Sequence, residues 1–237
     1  MINELKIHEM KRRAVSIIFP NVCPFCGRVV NAREYYCPSC VEMLPKICRE
    51  LSPPENVSRL FACCWYSGIA REAVHRLKFG CIIDPADAFS LMMSETLADH
   101  AKDFDAIVPV PSGIKSIEKR GFSPAKVIAR RISMRLELPI ERALKAGADK
   151  IEQKTLSRKK RLQNARESFF VKNNAEIAGK RLLLVDDVTT TGSTLSVLAE
   201  LLLKAGAADV SAAVFAKVPG EFKKLDEPKR FKKLTKK

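Results

Sequence analysis

An unbroken apolar run, Leu182-Leu-Leu-Val185, leads straight into Asp186 and Asp187 and then into a turn of hydroxyls and one glycine, Thr189-Thr-Thr-Gly-Ser-Thr194. A run with no polar face is what a strand covered on both sides requires. The segment 194–205 that follows has the length and pattern of a helix. Strand, tight turn and helix in immediate succession confine the chain to an α/β architecture in which helices are laid on a sheet. Other segments fit the same plan. Besides the strand at 181–187, strands are expected at 60–66, 105–111 and 208–216, and helices at 69–79, 85–102 and 123–135. Gly80 ends the first of these helices, and prolines close the strand at 105–111. The expected sheet is parallel, with helices on both faces.

Open parallel sheets bind ligands at the edge where strands end and helices begin, and the turn at 190–194 lies at such a junction. Thr190, Thr191, Ser193 and Thr194 offer hydroxyls, Gly192 permits close approach of the backbone, and the helix that follows points its positive end at the turn. These are the parts of a phosphate cradle. Asp186 and Asp187, just upstream, are placed to accept hydrogen bonds from vicinal sugar hydroxyls. Together the seven residues describe a ribose 5-phosphate site; the competing reading is a hydrophilic helix cap beside two acids. No Gly-Lys-Ser/Thr element and no dinucleotide glycine pattern occurs.

Four of the eight cysteines fall in Cys23-Pro-Phe-Cys26 and Cys37-Pro-Ser-Cys40, two C-x2-C pairs separated by ten residues. Each pair can bend as a knuckle that aims two thiolates at one point. Two knuckles complete a tetrahedral shell for Zn2+ with no position left open, which is the form of a structural site. A redox dithiol and a rubredoxin-like iron are the rivals. Cys48, Cys63, Cys64 and Cys81 show no paired spacing and are expected to pack as small hydrophobes.

A chain of 237 residues, 46% of them hydrophobic, has room for one main core and a small satellite. The expected parts are an N-terminal helix at 1–20, the metal-binding segment 21–50, a main domain at 57–220 and a basic tail at 221–237. The connector 51–56 carries Pro53 and Pro54. No stretch approaches the roughly 18 apolar residues of a spanning helix, and the start of the chain does not read as a secretory signal. No membrane insertion and a cytoplasmic location are therefore expected. The net charge of +15 favours anionic partners, phosphorylated metabolites and nucleic acid among them. The tail, rich in lysine, reads either as a solvated end or as a contact for nucleic acid.

At 182–194 the chain resembles the type I phosphoribosyltransferases, whose fingerprint is an apolar strand, two acids, a short apolar pair and Thr-Gly-x-Thr. Thr189 replaces the second apolar residue of that pair. Over nearly its whole length it resembles the competence protein F (ComF) family, including GntX-like members. The matches are Phe19-Pro20, the two cysteine pairs, Leu44-Pro45, Leu77-Lys-Phe-Gly80, Val108-Pro-Val-Pro111, Lys119-Arg-Gly-Phe122, Gln153, Leu156, Arg161, Asn164 and Phe169. Ser123-Pro124 stands where that family commonly has Asn-Gln.

The resemblance implies a type I phosphoribosyltransferase fold preceded by a zinc-ribbon-like satellite. It implies that Val110, Pro111 and Ser112, with Lys119 and Arg120, wrap the diphosphate of phosphoribosyl pyrophosphate. It implies a lid carrying Gln153, Arg161 and Asn164, and Mg2+ accompanying the substrate. The basic run at 154–161 reads as such a lid or as a solvated helix face. The implied activity is pentosyl transfer to an unnamed acceptor. Purine enzymes that take hypoxanthine or guanine use a carboxylate at the position of Thr190, so a 6-oxopurine is disfavoured. The resemblance also implies a link to DNA uptake, with single-stranded DNA and a DNA-uptake helicase as partners. A non-catalytic DNA-binding component and a sensor of phosphoribosyl pyrophosphate are the alternatives.

Overall fold

The computed structural model describes residues 4–80, 83–147, 168–173 and 175–219, the side chains of 48–50 excepted. The lid residues Gln153, Arg161 and Asn164, the tail 221–237, Cys81 and the side chain of Cys48 lie outside the described residues.

The chain opens with α1 (Glu4–Val15), passes through the cysteine knuckles, the second of which carries the short α2 (Pro38–Glu42), and enters β1 (Lys46–Leu51). There follow β2 (Leu60–Trp65), α3 (Gly68–Phe79), α4 (Pro85–Leu97) with a 3-10 turn at Ala98–Asp103, and β3 (Ala106–Pro109). Next come α5 (Ile114–Arg120), α6 (Pro124–Leu136), β4 (Leu144–Ala146) and β5 (Phe169–Val171), then β6 (Arg181–Thr189), α7 (Ser193–Lys204) and β7 (Asp209–Lys217). The main sheet has the order β1-β2-β7-β6-β3, and β4 pairs with β5 as a separate ribbon.

Strands β2, β7, β6 and β3 are parallel, as expected, but β1 joins the edge antiparallel to β2 and makes the sheet mixed. This strand escapes sequence reading because Lys46-Ile-Cys-Arg-Glu-Leu51 has no apolar run. An edge strand needs one partner and little burial, so its composition is weakly constrained. The expected helix 85–102 stops at Leu97 and tightens into the 3-10 turn.

Period-two alternation divides the central strands between two cores. Leu183 and Val185 of β6, Phe61 of β2 and Phe215 of β7 face α3, α4 and α6. Leu182, Leu184, Leu60 and Val214 face α7 through Leu195, Leu198 and Leu202. The cysteine segment belongs to the first core. Phe25, between the first two cysteines, lies 6.4 Å from both Phe89 and Phe215, which stack at 3.7 Å with an interplanar angle of 7°. No helix among the described residues is long and apolar enough to cross a membrane.

Candidate functional site

Because β3 and β6 are adjacent and parallel, their C-terminal ends bring two distant loops to one sheet edge. There they frame a cleft of about 210 Å3 lined by Val110, Pro111 and Ser112 after β3, Arg120 at the end of α5, Asp186, Asp187 and Thr194. Seven expected site residues thus meet in one place. Lys119 is exposed on α5 and does not line the cleft. Thr190, Thr191, Gly192 and Ser193 form the turn beside it rather than its wall.

The acid pair sits inside β6, as expected of a strand at 181–187, but the strand does not end there. The strand continues to Thr189, with Asp186 opposite Val214 and Thr189 opposite Lys217 of β7. Holding both carboxylates in a hydrogen-bonded strand fixes their directions. Asp187 is 3% exposed and shares the face of Leu183 and Val185. Asp186 is half-buried, and its Oδ1 accepts the Asp187 amide at 2.8 Å. Burial, with the Asp187 charge adding to it, raises the Asp186 carboxyl well above the ordinary range, while Lys78 pulls the other way.

Sequence reading assigned Lys78 to a helix and a family likeness but not to the site. Its Nζ lies 3.1 Å from Asp187 Oδ2, at ion-pair distance but off the hydrogen-bond direction, and it lines the cleft. Lys217 is a second cation that sequence reading left out. It donates from Nζ to the Thr190 carbonyl at 3.1 Å and steadies the turn, and burial lowers its pKa. Both cations come from elements far from the turn in sequence, so only the folded sheet discloses them.

The turn is held closed by its own hydroxyls. Thr191 Oγ1 and Ser193 Oγ are 2.6 Å apart, and the Ser193 amide lies 3.4 Å from Thr191 Oγ1. Gly192 has φ +80°, and a Cβ there would lie 2.8 Å from Cβ and Cγ of Pro54. The glycine is thus demanded by backbone geometry and by the connector seated on the turn. Ser123, where the resemblance leads one to expect an amide side chain, places its Oγ 2.9 Å from Ser112 Oγ and ties the loop after β3 to α6.

The second candidate centre is the cysteine cluster. The four Sγ atoms of Cys23, Cys26, Cys37 and Cys40 all lie within 4.8 Å of one another, and those of Cys26 and Cys37 are 3.8 Å apart. A tetrahedral ion with metal–sulfur bonds of about 2.3 Å sets its ligands roughly 3.8 Å apart, so the cluster is dimensioned for a metal ion. The Cys37 amide donates to Cys23 Sγ at 3.4 Å, as suits a thiolate acceptor. Cys63 and Cys64 are buried in β2, away from the cluster. Arg76 of α3 donates from Nη1 to the Pro24 carbonyl at 2.9 Å, linking the first knuckle to the helix that carries Lys78.

Mg2+ has a poorer fit. It asks for near-octahedral oxygens, yet Asp187 Oδ2 faces an ammonium and Asp186 Oδ1 is already used by a backbone amide.

An open sheet with a hydroxyl turn after two acids at its C-terminal edge defines a protein of the phosphoribosyltransferase fold. Residues 98–236 match the phosphoribosyl transferase domain family. The DNA utilization protein YhgH of Escherichia coli K12 is 30% identical over 203 residues, covering 80% of this chain and 87% of its own. Competence protein ComFC of Bacillus subtilis is 28% identical over 204 residues, covering 85% and 80%. Competence protein F of Haemophilus influenzae is 28% identical over 198 residues, covering 79% and 82%. The chain belongs to the competence protein F family of phosphoribosyltransferase-fold proteins. Among solved structures, a purine phosphoribosyltransferase from Pyrococcus horikoshii aligns over 55% of this chain and 71% of its own, at 23% identity and a TM-score of 0.36.

Proposed function

We propose that this chain binds phosphoribosyl pyrophosphate, or another ribose 5-phosphate compound, in the cleft between β3 and β6, in the service of DNA uptake. The observation that carries the reading is the meeting of an acid pair, Asp187 buried and Asp186 half-buried, with the 190–194 turn and the Val110–Ser112 loop at one sheet edge. Asp186 and Asp187 receive the ribose hydroxyls. The hydroxyls and amides at the start of α7 hold the 5-phosphate. Val110, Pro111, Ser112 and Arg120 border the diphosphate, with Lys119 adding charge from α5. Gln153, Arg161 and Asn164 act as a lid. Mg2+ comes with the diphosphate, whose oxygens suit it. The cysteine cluster holds structural Zn2+ and fastens the N-terminal segment to the main core. A thiolate site of this kind belongs in a reducing compartment, which favours the cytoplasm.

In the transferase reading, the bond from ribose C1 to the diphosphate oxygen breaks and a bond to a nitrogen nucleophile forms. Diphosphate leaves with the electron pair, and the nucleophile gives up its proton to solvent. The chain's contribution is to position the sugar and balance charge. Thr190 offers no acid or base near neutral pH, which disfavours a 6-oxopurine as the acceptor. The same observation favours a second reading, a sensor that binds phosphoribosyl pyrophosphate without turning it over. The relatives' names, DNA utilization protein and competence protein, support the connection to DNA. The charge of +15 and exposed Lys119, Lys126 and Arg130 suit single-stranded DNA as a partner, with a DNA-uptake helicase acting beside it.

Titration of the full chain with phosphoribosyl pyrophosphate and Mg2+, followed by an assay of diphosphate release with candidate nitrogen acceptors, tests the reading. Saturable binding with release supports the transferase, and binding without release supports the sensor. No binding rejects both.

A further inference from the structure

Two adjacent carboxylates at a sheet edge make a poor berth for a substrate bearing several negative charges unless something cancels them. In many phosphate-handling sites a divalent cation does this, held by one or two carboxylates and the phosphate oxygens. Here the cancelling charge already belongs to the chain. Lys78, in the last turn of α3, reaches the cleft from the face of the sheet that carries α3, α4 and α6 and sets its ammonium 3.1 Å from Asp187 Oδ2. The Lys78 side chain is 30% exposed and that of Asp187 only 4%, so the pair sits where solvent screens it little.

We propose that Lys78 occupies the cation position of the acid pair, so that the Asp187 carboxylate is balanced by a built-in ammonium and a divalent ion joins the site only on the substrate's diphosphate. The inference deepens the ribose 5-phosphate reading and rests on it for its biological meaning, though its geometry stands alone. A divalent ion bound at Asp187 Oδ2 would lie within a few ångströms of the Lys78 ammonium, and the two positive charges would repel. Asp186 is a weak alternative ligand, since its Oδ1 accepts the Asp187 amide at 2.8 Å.

The arrangement also explains why Lys78 ends a helix. The last turn of α3 carries a partial negative charge that favours a cation there, and Gly80 terminates the helix immediately afterwards. Arg76, two residues earlier, binds the Pro24 carbonyl of the first knuckle, so α3 is anchored at the metal cluster while it presents Lys78 to the acids.

The test is a titration of MnCl2 into the zinc-loaded full chain, read by loss of the free Mn2+ electron paramagnetic resonance signal. Wild type is compared with Lys78→Met, Lys78→Arg and the double variant Lys78→Met/Asp187→Asn, each shown to be folded by thermal melting. Lys78→Met should gain Mn2+ affinity by on the order of tenfold or more, as expected when a positive charge is removed within about 4 Å. Lys78→Arg should behave as wild type, and the double variant should lose the gain. Wild type binding Mn2+ at the acid pair as tightly as Lys78→Met, or no gain in Lys78→Met, overturns the proposal. If Lys78→Met does not fold, Lys78→Gln carries the same comparison. Failure of wild type to bind phosphoribosyl pyrophosphate strikes the ribose 5-phosphate reading and leaves the Mn2+ comparison to decide this one.

Discussion

The cysteine cluster and the cleft are assembled in opposite ways. All four thiolates come from one short stretch between positions 23 and 40, and two tight knuckles suffice to converge them. The cleft draws on α3, the loop after β3, α5, β6 and α7, and its residues converge only because β3 and β6 pair in parallel register. A locally built site depends on its own turns. A site built across a sheet depends on the whole core beneath it. The two meet in α3, where Arg76 touches one and Lys78 the other.

The largest effect should come from breaking the local site. Cys37→Ser is expected to release the metal and to cost a substantial part of the roughly 10 to 16 kcal/mol that structural zinc binding can supply, because that ligation is folding free energy. Since Phe25 packs on Phe89 and Phe215, the loss should spread into the main core and lower the melting temperature of the entire chain. Elemental analysis and thermal unfolding check this. Unchanged metal content and unchanged melting would separate the cluster from the fold.

A smaller effect should follow from cutting the link between the two regions. Arg76→Ala removes the hydrogen bond to the Pro24 carbonyl and is expected to cost about 1 to 2 kcal/mol, with the metal retained. If α3 transmits the knuckle's anchoring to Lys78, phosphoribosyl pyrophosphate affinity should fall by a few-fold, on the order of the fold-change that 1 kcal/mol represents. Equal affinity in variant and wild type would show that Lys78 is placed by the main core alone.

The smallest expected effect concerns pH. The folded chain keeps Asp186 protonated at pH values where an unfolded chain, with an ordinary value of 3.8, has already released the proton. Stability should therefore fall as pH rises from about 3.8 towards the raised folded value, and stay at that lower level above it. Asp186→Asn keeps an acceptor for the Asp187 amide and has no proton to lose, so this part of the decline should vanish. Melting curves across pH 4 to 8 in wild type and variant, read as a difference, measure it; identical slopes would place Asp186 in an ordinary aqueous setting.

The same contrast explains what could be read in the amino-acid order. The cysteine cluster was legible because its information is local and its ligand spacing rigid. Strand β6, the turn and α7 were legible because an apolar run followed by hydroxyls and glycine leaves few alternatives. The grouping of Val110, Pro111, Ser112 and Arg120 with the acids required a family likeness, since nothing in their own sequence points 70 residues ahead. Lys78 and Lys217 were illegible as site residues, each looking like an ordinary cation at the end of its element. Edge strand β1 was missed because one ladder and modest burial impose no pattern on Lys46-Ile-Cys-Arg-Glu-Leu51. Pro54 read as a breaker in a connector, whereas the fold seats it on Gly192.

The central claim is that the buried acid of β6 receives a ribose. Calorimetric titration of phosphoribosyl pyrophosphate into wild type and Asp187→Ala, both in Mg2+ and both shown to be folded, tests it most directly. The variant should bind about 10 to 100-fold more weakly, corresponding to the roughly 1.5 to 3 kcal/mol of a hydrogen bond to a charged group. Equal affinity in the two proteins would contradict the account and put the ligand elsewhere on the chain.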